Sequence, residues 1–485
     1  MIDQHLANMT DNSTTYIKSA PKKKKKRRAK MKKKQVVTPA ETIKPSSKLQ
    51  SSYEGHPKHY LRHLYSKQEL INKFLPHNFS YLISCDKSPF ALSLIRKQNE
   101  CRSNNGLIQI PRIFSLTTNP EESCLTFQQI ISAFLLESNI SVSFDYKDCT
   151  KIDLHTQALM DVILLDYTKF MHHCSKINRQ LFKKHFPETF RGININNDNI
   201  RKLLFSVGSP ANLGIKQGDF PDIVKLKMCS YCAKYASKGI SRTYQKEIDT
   251  TLMADYVVES LRKINKELTP EKLQDLCTVI GEILINAEEH SSLKHRFSIG
   301  YFQEMNEGGR HFGLFKLVIL NLGDTIYEKF KSPDCPNVTV VEKMSNLSKD
   351  YTSRGLFKDK QFEEEDLWTL YALQQGVTSI AEVTRGSGSI EFIESFFNIK
   401  GDTSVDSTSR MTLASGHTRI VFDGTYKTIE TEDNGEKYKM MTFNKSGNIS
   451  EIPDKKYVQN SNLYFPGTFI SANILLNDDD IKEIH

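Results

Sequence analysis

The sequence predicts a mixed α/β chain with two ordered domains behind a basic arm, and three observations carry that reading. From Leu107 onward, β-rich runs alternate with amphipathic helical stretches. From about Thr250 a second set of helices and strands follows, its strands joined across Gly-containing turns. Ahead of both, Lys22–Lys34 holds eleven positive charges in a single block. At 485 residues and 38% hydrophobic, the chain is long enough to bury two or three domain cores.

The net charge of +9 is local: without that block the remainder is near −2. Such a like-charged run repels itself, so residues 1–55 are expected to form a disordered arm. Its chemistry suits nucleic-acid phosphates or another polyanion, and the lack of interleaved aromatics argues against reading of bases. No apolar run reaches the length of a membrane span, and the polar, basic N-terminus is unlike a secretory signal. Nine cysteines without a disulfide-like framework fit a reducing compartment, and the expected location is cytoplasmic. Cys229 and Cys232 form a lone CxxC, read here as two ordinary thiols rather than half a zinc site.

Residues 56–106 have helical character around His63–Leu75 and Ser88–Gln98. LIQIPRIFSL then reads as strand, TFQQIISAFLLES as helix, ISVSFDY as strand and LHTQALMDVILLDYTKF as helix. NDNIRKLLFSVGS adds a helix with Gly208 as its stop. These make an α/β domain over 107–215. The lysine-rich 216–249 reads as a connector.

The second domain, over 250–480, is organised around Leu273–Ser292. At 100° per residue, Leu273, Leu276, Cys277, Ile280, Leu284 and Ala287 form one stripe, with Glu282, Asn286 and Glu289 opposite. Glu282 and Asn286 lie one turn apart, a carboxylate beside an amide oxygen, the pair that magnesium-assisted phosphoryl transfer uses. Thr269-Pro270-Glu271 starts this helix. RFSIGYFQ and HFGLFKLVILN are two strands of a hairpin across MNEGGR. Gly386 and Gly388 precede SIEFIESFF, a helix whose N-terminal amides suit phosphate. In GTFISANILL, Ile470, Ala472, Ile474 and Leu476 alternate with polar residues, so this last strand has one buried face.

Two resemblances follow. ISVSFDYKDCTKIDLHTQAL, a strand ending in Asp145, a turn to Asp153 and a helix, resembles the STAS domains of anti-sigma-factor antagonists. Leu154 and His155 stand where that family has its phosphorylatable serine, with Thr156 the nearest hydroxyl, so the implied role is docking or scaffolding. Glu282-x-x-x-Asn286-x-x-x-His290, Asn321-Leu322-Gly323, Arg385-Gly386-Ser387-Gly388 and Pro466-Gly467-Thr468, in that order, resemble the GHKL ATPases. The Glu, Asn and His spacing is most similar to the anti-sigma-factor serine kinases.

The resemblance implies a Bergerat-type sandwich of helices on a mixed sheet, with a mobile lid at about 327–384. It implies ATP and Mg2+ as ligands, Glu282 as catalytic base, Asn286 on the metal, and Asn321 with Thr468 at the adenine. His290, Gly323, Arg385, Gly386 and Gly388 complete the implied nucleotide site. Asn321 replaces the family's Asp, and Thr325 its second Gly. Trp368, the single tryptophan, reads as core rather than as part of the site. The function expected is a Mg-ATP-dependent regulatory switch with slow hydrolysis, partnered through the STAS-like domain and in a possible homodimer. The alternatives are a serine/threonine kinase acting on a STAS-type partner, and a nucleic-acid-associated protein with a degenerate ATP site.

Overall fold

The computed structural model describes residues 66–215, 218–233, 242–289, 291–307, 310–352, 360–379, 388–398, 405–433 and 436–477. The basic arm, His290, Arg385 and Gly386 lie outside the described residues. The described part opens on helices α1 (Lys67–Phe74), α2 (His77–Ser84) and α3 (Leu92–Ile95). Ser66 and Glu69 start α1 by exchanging hydrogen bonds between each backbone N–H and the other side chain.

The expected strand from Leu107 divides at Pro111, which has no N–H for a ladder, into β1 (Leu107–Gln109) and β2 (Ile113–Phe114). There follow α4 (Pro120–Leu135), β3 (Ser141–Asp145), β4 (Lys151–Ile152), α5 (Leu154–His185), β5 (Thr189–Ile193), α6 (Asp198–Ser206) and α7 (Ser209–Asn212). Strands β1, β3 and β5 form a parallel sheet, and β2 pairs with β4. The alternation expected over 107–215 is therefore present.

Next come β6 (Ile223–Cys232), α8 (Arg242–Arg262), α9 (Pro270–Glu289), β7 (His295–Glu307), β8 (Arg310–Leu322), α10 (Ile326–Lys331), α11 (Val338–Thr352), α12 (Glu364–Ala372) and α13 (Gly388–Asn398). The chain ends in β9 (Arg410–Phe422), β10 (Ile429–Asp433), β11 (Glu436–Met440) and β12 (Val458–Asn477). Five of these strands make one sheet in the order β6-β7-β8-β12-β9.

Two expectations change here. The sheet is antiparallel at every pairing rather than mixed, because β7 and β8 form a hairpin and β12 runs against both of its neighbours, β8 and β9. The segment read as a connector contains β6, an edge strand. Lys225 and Lys227 point to solvent while Val224 and Leu226 are buried, so the lysines that obscured the strand also guard an edge left unpaired among the described residues.

Both faces of the sheet are covered. Phe315, Leu317, Ile319, Ile470, Ala472 and Ile474 face a core shared with α8, α9 and α12. Phe297, Ile299, Val318, Leu320, Leu322 and Phe469 face the other way and share a core with the N-terminal helices and strands. The helices between 326 and 372 belong to the first layer. Trp368 is 1% exposed and donates from Nε1 to Ser348 Oγ of α11 at 3.1 Å, and the acidic start of α12 is held by β9 and β12. Asp366 accepts from Thr418 and Asn460, and Glu365 from the His417 N–H. The core reading of Trp368 is correct, and the described helices of the expected lid are packed elements.

The start of α5, in the module expected to serve docking or scaffolding, lies under β12. His155 stacks on Phe469 with ring centroids 4.7 Å apart and planes 6° apart. Thr156 is fully buried and accepts from the Leu116 N–H at 2.9 Å. Burial pushes the His155 pKa down to about 4, against the pull of Asp153. The folded state therefore holds this imidazole neutral where the unfolded chain protonates it. Stability is full above the unfolded value near 6.5 and falls as the pH drops from there toward about 4. Between about pH 7.5 and about pH 4.5, urea denaturation should show wild type losing about 2–3 kcal/mol relative to His155→Phe, which keeps the ring and removes the proton site. Parallel pH profiles for the two proteins would refute this.

Candidate functional site

Helix α9 positions the residues singled out by sequence. Leu276, Ile280, Ile283 and Leu284 are buried against the sheet, which leaves Glu282 and Asn286, both half-buried, on the flank one turn apart. Helix α13 packs along α9. The groove between them, about 530 Å³, is lined by Asp275, Thr278 and Val279 of α9 and by Glu391 and Glu394 of α13. Glu282 and Asn286 continue that row at helical spacing. Gly388 is the first residue of α13.

At the end of α9, three distant segments meet through one amide. Asn321 of β8, 3% exposed, donates from Nδ2 to the Ala287 carbonyl at 2.6 Å and accepts at Oδ1 from the Thr468 N–H at 3.0 Å. Thr468 of β12 lies opposite Asn321 in the ladder, and its hydroxyl is 2.9 Å from that of Ser415 on β9. Ala287 directly follows Asn286. Asn321, Thr468 and the Glu282–Asn286 helix are therefore brought together.

The detail around this junction differs from expectation. The Asn321 oxygen assigned to an adenine amino group already takes the Thr468 N–H. Gly323 has φ +128°, and a Cβ there would lie 2.6 Å from Ser292 Oγ and 2.9 Å from Ser292 N. The glycine thus admits the chain's own loop, whose Ser292 Oγ accepts from the Asp324 N–H at 3.0 Å. Thr325, in place of a second glycine, caps α10: it accepts from the Glu328 N–H at 3.1 Å while the Glu328 carboxylate accepts from the Thr325 N–H at 2.9 Å.

Beside the junction opens a cleft of about 760 Å³ lined by Arg242, Glu288, Glu289, Lys294, Asp324 and Lys329. An ion network that no sequence spacing announces runs beneath it. Arg296, 2% exposed, pairs with Asp249 of α8 at 2.7 Å and lies 3.7 Å from Glu288 of α9. Arg242 holds Glu288 at 2.8 Å and Glu289 at 2.9 Å. Burial raises the Glu288 pKa against the lowering effect of both arginines.

Along α9 the residues fit a magnesium nucleotide: a carboxylate and an amide oxygen one turn apart, with a helix N-terminus on the neighbouring element. The base end does not admit a purine in this conformation, because Asn321 is buried and engaged and Ser292 fills the space beside Gly323. No protein-family model matches the chain, and neither a curated protein nor a solved structure shows significant similarity to it.

The Asn321 bridge gives a direct test. A carboxylate at this position would set an oxygen against the Ala287 carbonyl, now 2.6 Å from Nδ2, with no proton between them. Asn321→Asp should cost about 1–3 kcal/mol at neutral pH, read from the urea midpoint. The cost should shrink on acidification, as the protonated carboxyl regains a donor. An unchanged midpoint would mean that the bridge carries no weight.

Proposed function

We propose that this chain is a Mg-ATP-binding regulatory protein of GHKL type, with its nucleotide site on the α9–α13 side of the five-stranded sheet. The observation that supports this most is the Asn321 junction, where the helix bearing Glu282 and Asn286, the end of β8 and Thr468 of β12 converge although they are far apart in sequence. That is the juxtaposition the motif resemblance demands. Asn286 would offer an oxygen to Mg2+, Glu282 would orient the attacking water, and the start of α13 at Gly388 would face phosphate. ATP supplies a transferable γ-phosphoryl group when bound.

The base end opens, on this reading, by withdrawal of Ser292 from Gly323. The outward face of the same sheet packs on the STAS-like module, so a change at β8 and β12 is felt by α5 through His155 and Phe469. The module then acts in cis, as the docking partner of its own ATP-binding domain. Burial of Thr156 argues against a phospho-acceptor at that position and leaves any kinase activity to a separate partner.

The closed base end favours a second reading, a binding protein with a degenerate pocket that acts through its basic arm. Incubation with γ-labelled Mg-ATP, following bound nucleotide, released phosphate and labelled protein, separates these readings. Wild type and Glu282→Ala should both bind and shift the emission of Trp368, while phosphate release falls by about 10²–10⁴-fold in the variant. Label on an added partner would turn the reading to a kinase. Absence of binding by folded protein would leave the degenerate-pocket reading, which predicts loss of polyanion affinity on deleting Lys22–Lys34.

A further inference from the structure

Away from this junction, three side chains from three elements close on one point. His77 opens α2, Cys232 ends β6 and His295 opens β7, directly opposite Cys232 in the ladder. His77 Nε2 is 3.0 Å from His295 Nδ1 and 3.7 Å from Cys232 Sγ, and the three atoms all lie within 4.8 Å of one another. A tetrahedral zinc ion, with Zn–N of about 2.0–2.1 Å and Zn–S of about 2.3 Å, sets its nitrogens roughly 3.3 Å apart and nitrogen and sulfur roughly 3.6 Å apart. The cluster is already close to that spacing.

The surroundings prepare His295 as a ligand. Its Nδ1 is 3.0 Å from Asn78 Nδ2, and its Nε2 is 2.8 Å from Ser230 Oγ. An amide NH2 only donates, so Nδ1 carries the lone pair and Nε2–H donates to Ser230. This is the tautomer that binding at Nδ1 requires, and the Nε2–H···Ser230 bond is the outer hydrogen bond that holds it. A metal at Nδ1 would displace the Asn78 amide, which also donates to Asp166 Oδ2 at 3.4 Å. Asn78 is 1% exposed, and its Oδ1 is buried without a hydrogen-bond partner among the described residues. A leftover acceptor on a residue touching the cluster is what a metal-bound water would satisfy.

Access is present as well. The cluster borders an open cleft of about 860 Å³, also lined by Ser80, Asp166, Lys169 and His173. Cys229 is not part of the set: three residues before Cys232, it falls on the other face of β6, with its Sγ 3.5 Å from the Lys227 carbonyl. The CxxC spacing is therefore incidental, and the partners of Cys232 come from elsewhere in the chain.

We propose that His77, Cys232 and His295 bind Zn2+, with a water from the cleft as fourth ligand, and that the ion clips the N-terminal helices to the β6–β7 edge of the large sheet. One thiolate and two imidazoles suit zinc rather than the oxygen-seeking Mg2+ or Ca2+. The site stands apart from the α9 flank and does not depend on the nucleotide reading.

The test uses the full chain, stripped with a chelator and titrated first with Co2+ and then with Zn2+. A single equivalent of Co2+ should give four-coordinate visible bands with a thiolate-to-cobalt charge-transfer band, bleached by stoichiometric Zn2+, and Zn2+ should raise the melting temperature. Cys232→Ser should abolish the charge-transfer band, and His77→Ala should weaken Zn2+ by more than about 10-fold, the loss that even outer-shell changes cause. Cys229→Ser should change neither. Circular dichroism of each variant separates loss of ligand from loss of fold, and the half-buried end of α2 makes His77→Ala the milder change. Absence of a cobalt band in folded wild type, a band that survives Cys232→Ser, or one that disappears in Cys229→Ser would each overturn the proposal.

Discussion

The rest of this structure depends on the need to bury both faces of one five-stranded antiparallel sheet. In β8, successive residues Leu317 to Leu320 point alternately into two different cores. An antiparallel sheet can leave one face to water, but a strand apolar on both sides cannot. One face is closed by α8, α9 and the helices between 326 and 372, the other by the N-terminal module. The N-terminal α/β module is thus the second cover of the sheet, and the start of α5 packs on β12.

That arrangement gives physical reasons for the residues at which the chain differs from the GHKL motif it was expected to resemble. Asn321 bridges an acceptor, the Ala287 carbonyl, and a donor, the Thr468 N–H. An amide serves both at neutral pH; a carboxylate would serve one and oppose the other. Thr325 occupies the second glycine position because α10 starts there and needs a cap. Gly323 permits the close approach of Ser292. Each residue answers a local need of this chain, so the motif's letters and its ligand chemistry are separate matters.

Charge is handled inside the layers by pairing. Arg296 lies within the sheet and is accepted because Asp249 and Glu288 reach it from two helices. This network ties α8 and α9 to β7 close to the Asn321 junction. It fixes the end of the helix on which Glu282 and Asn286 sit, and it lines the neighbouring cleft with carboxylates already committed to arginines. His295, the next residue back along β7, faces the His77 and Cys232 cluster, so one strand start serves both sites.

By itself the sequence determined what is local. Helical period placed α9 with its buried stripe, alternation placed the inward row Ile470, Ala472, Ile474 and Leu476, and the Thr269-Pro270 pair placed a helix start. It also brought Asn321 and Thr468 into one expected site through motif order. The edge strand β6 escaped notice because its outward lysines masked a two-residue period. What only the tertiary structure decided is non-local: the second cover of the sheet, the ion network around Arg296, the loop packed against Gly323, and the meeting of His77, Cys232 and His295. Periodicity reports which side of an element is apolar, but not which other element will lie against it. Partners scores of residues apart, such as His77 and His295, leave no spacing to read, because packing of layers rather than chain proximity brings them together.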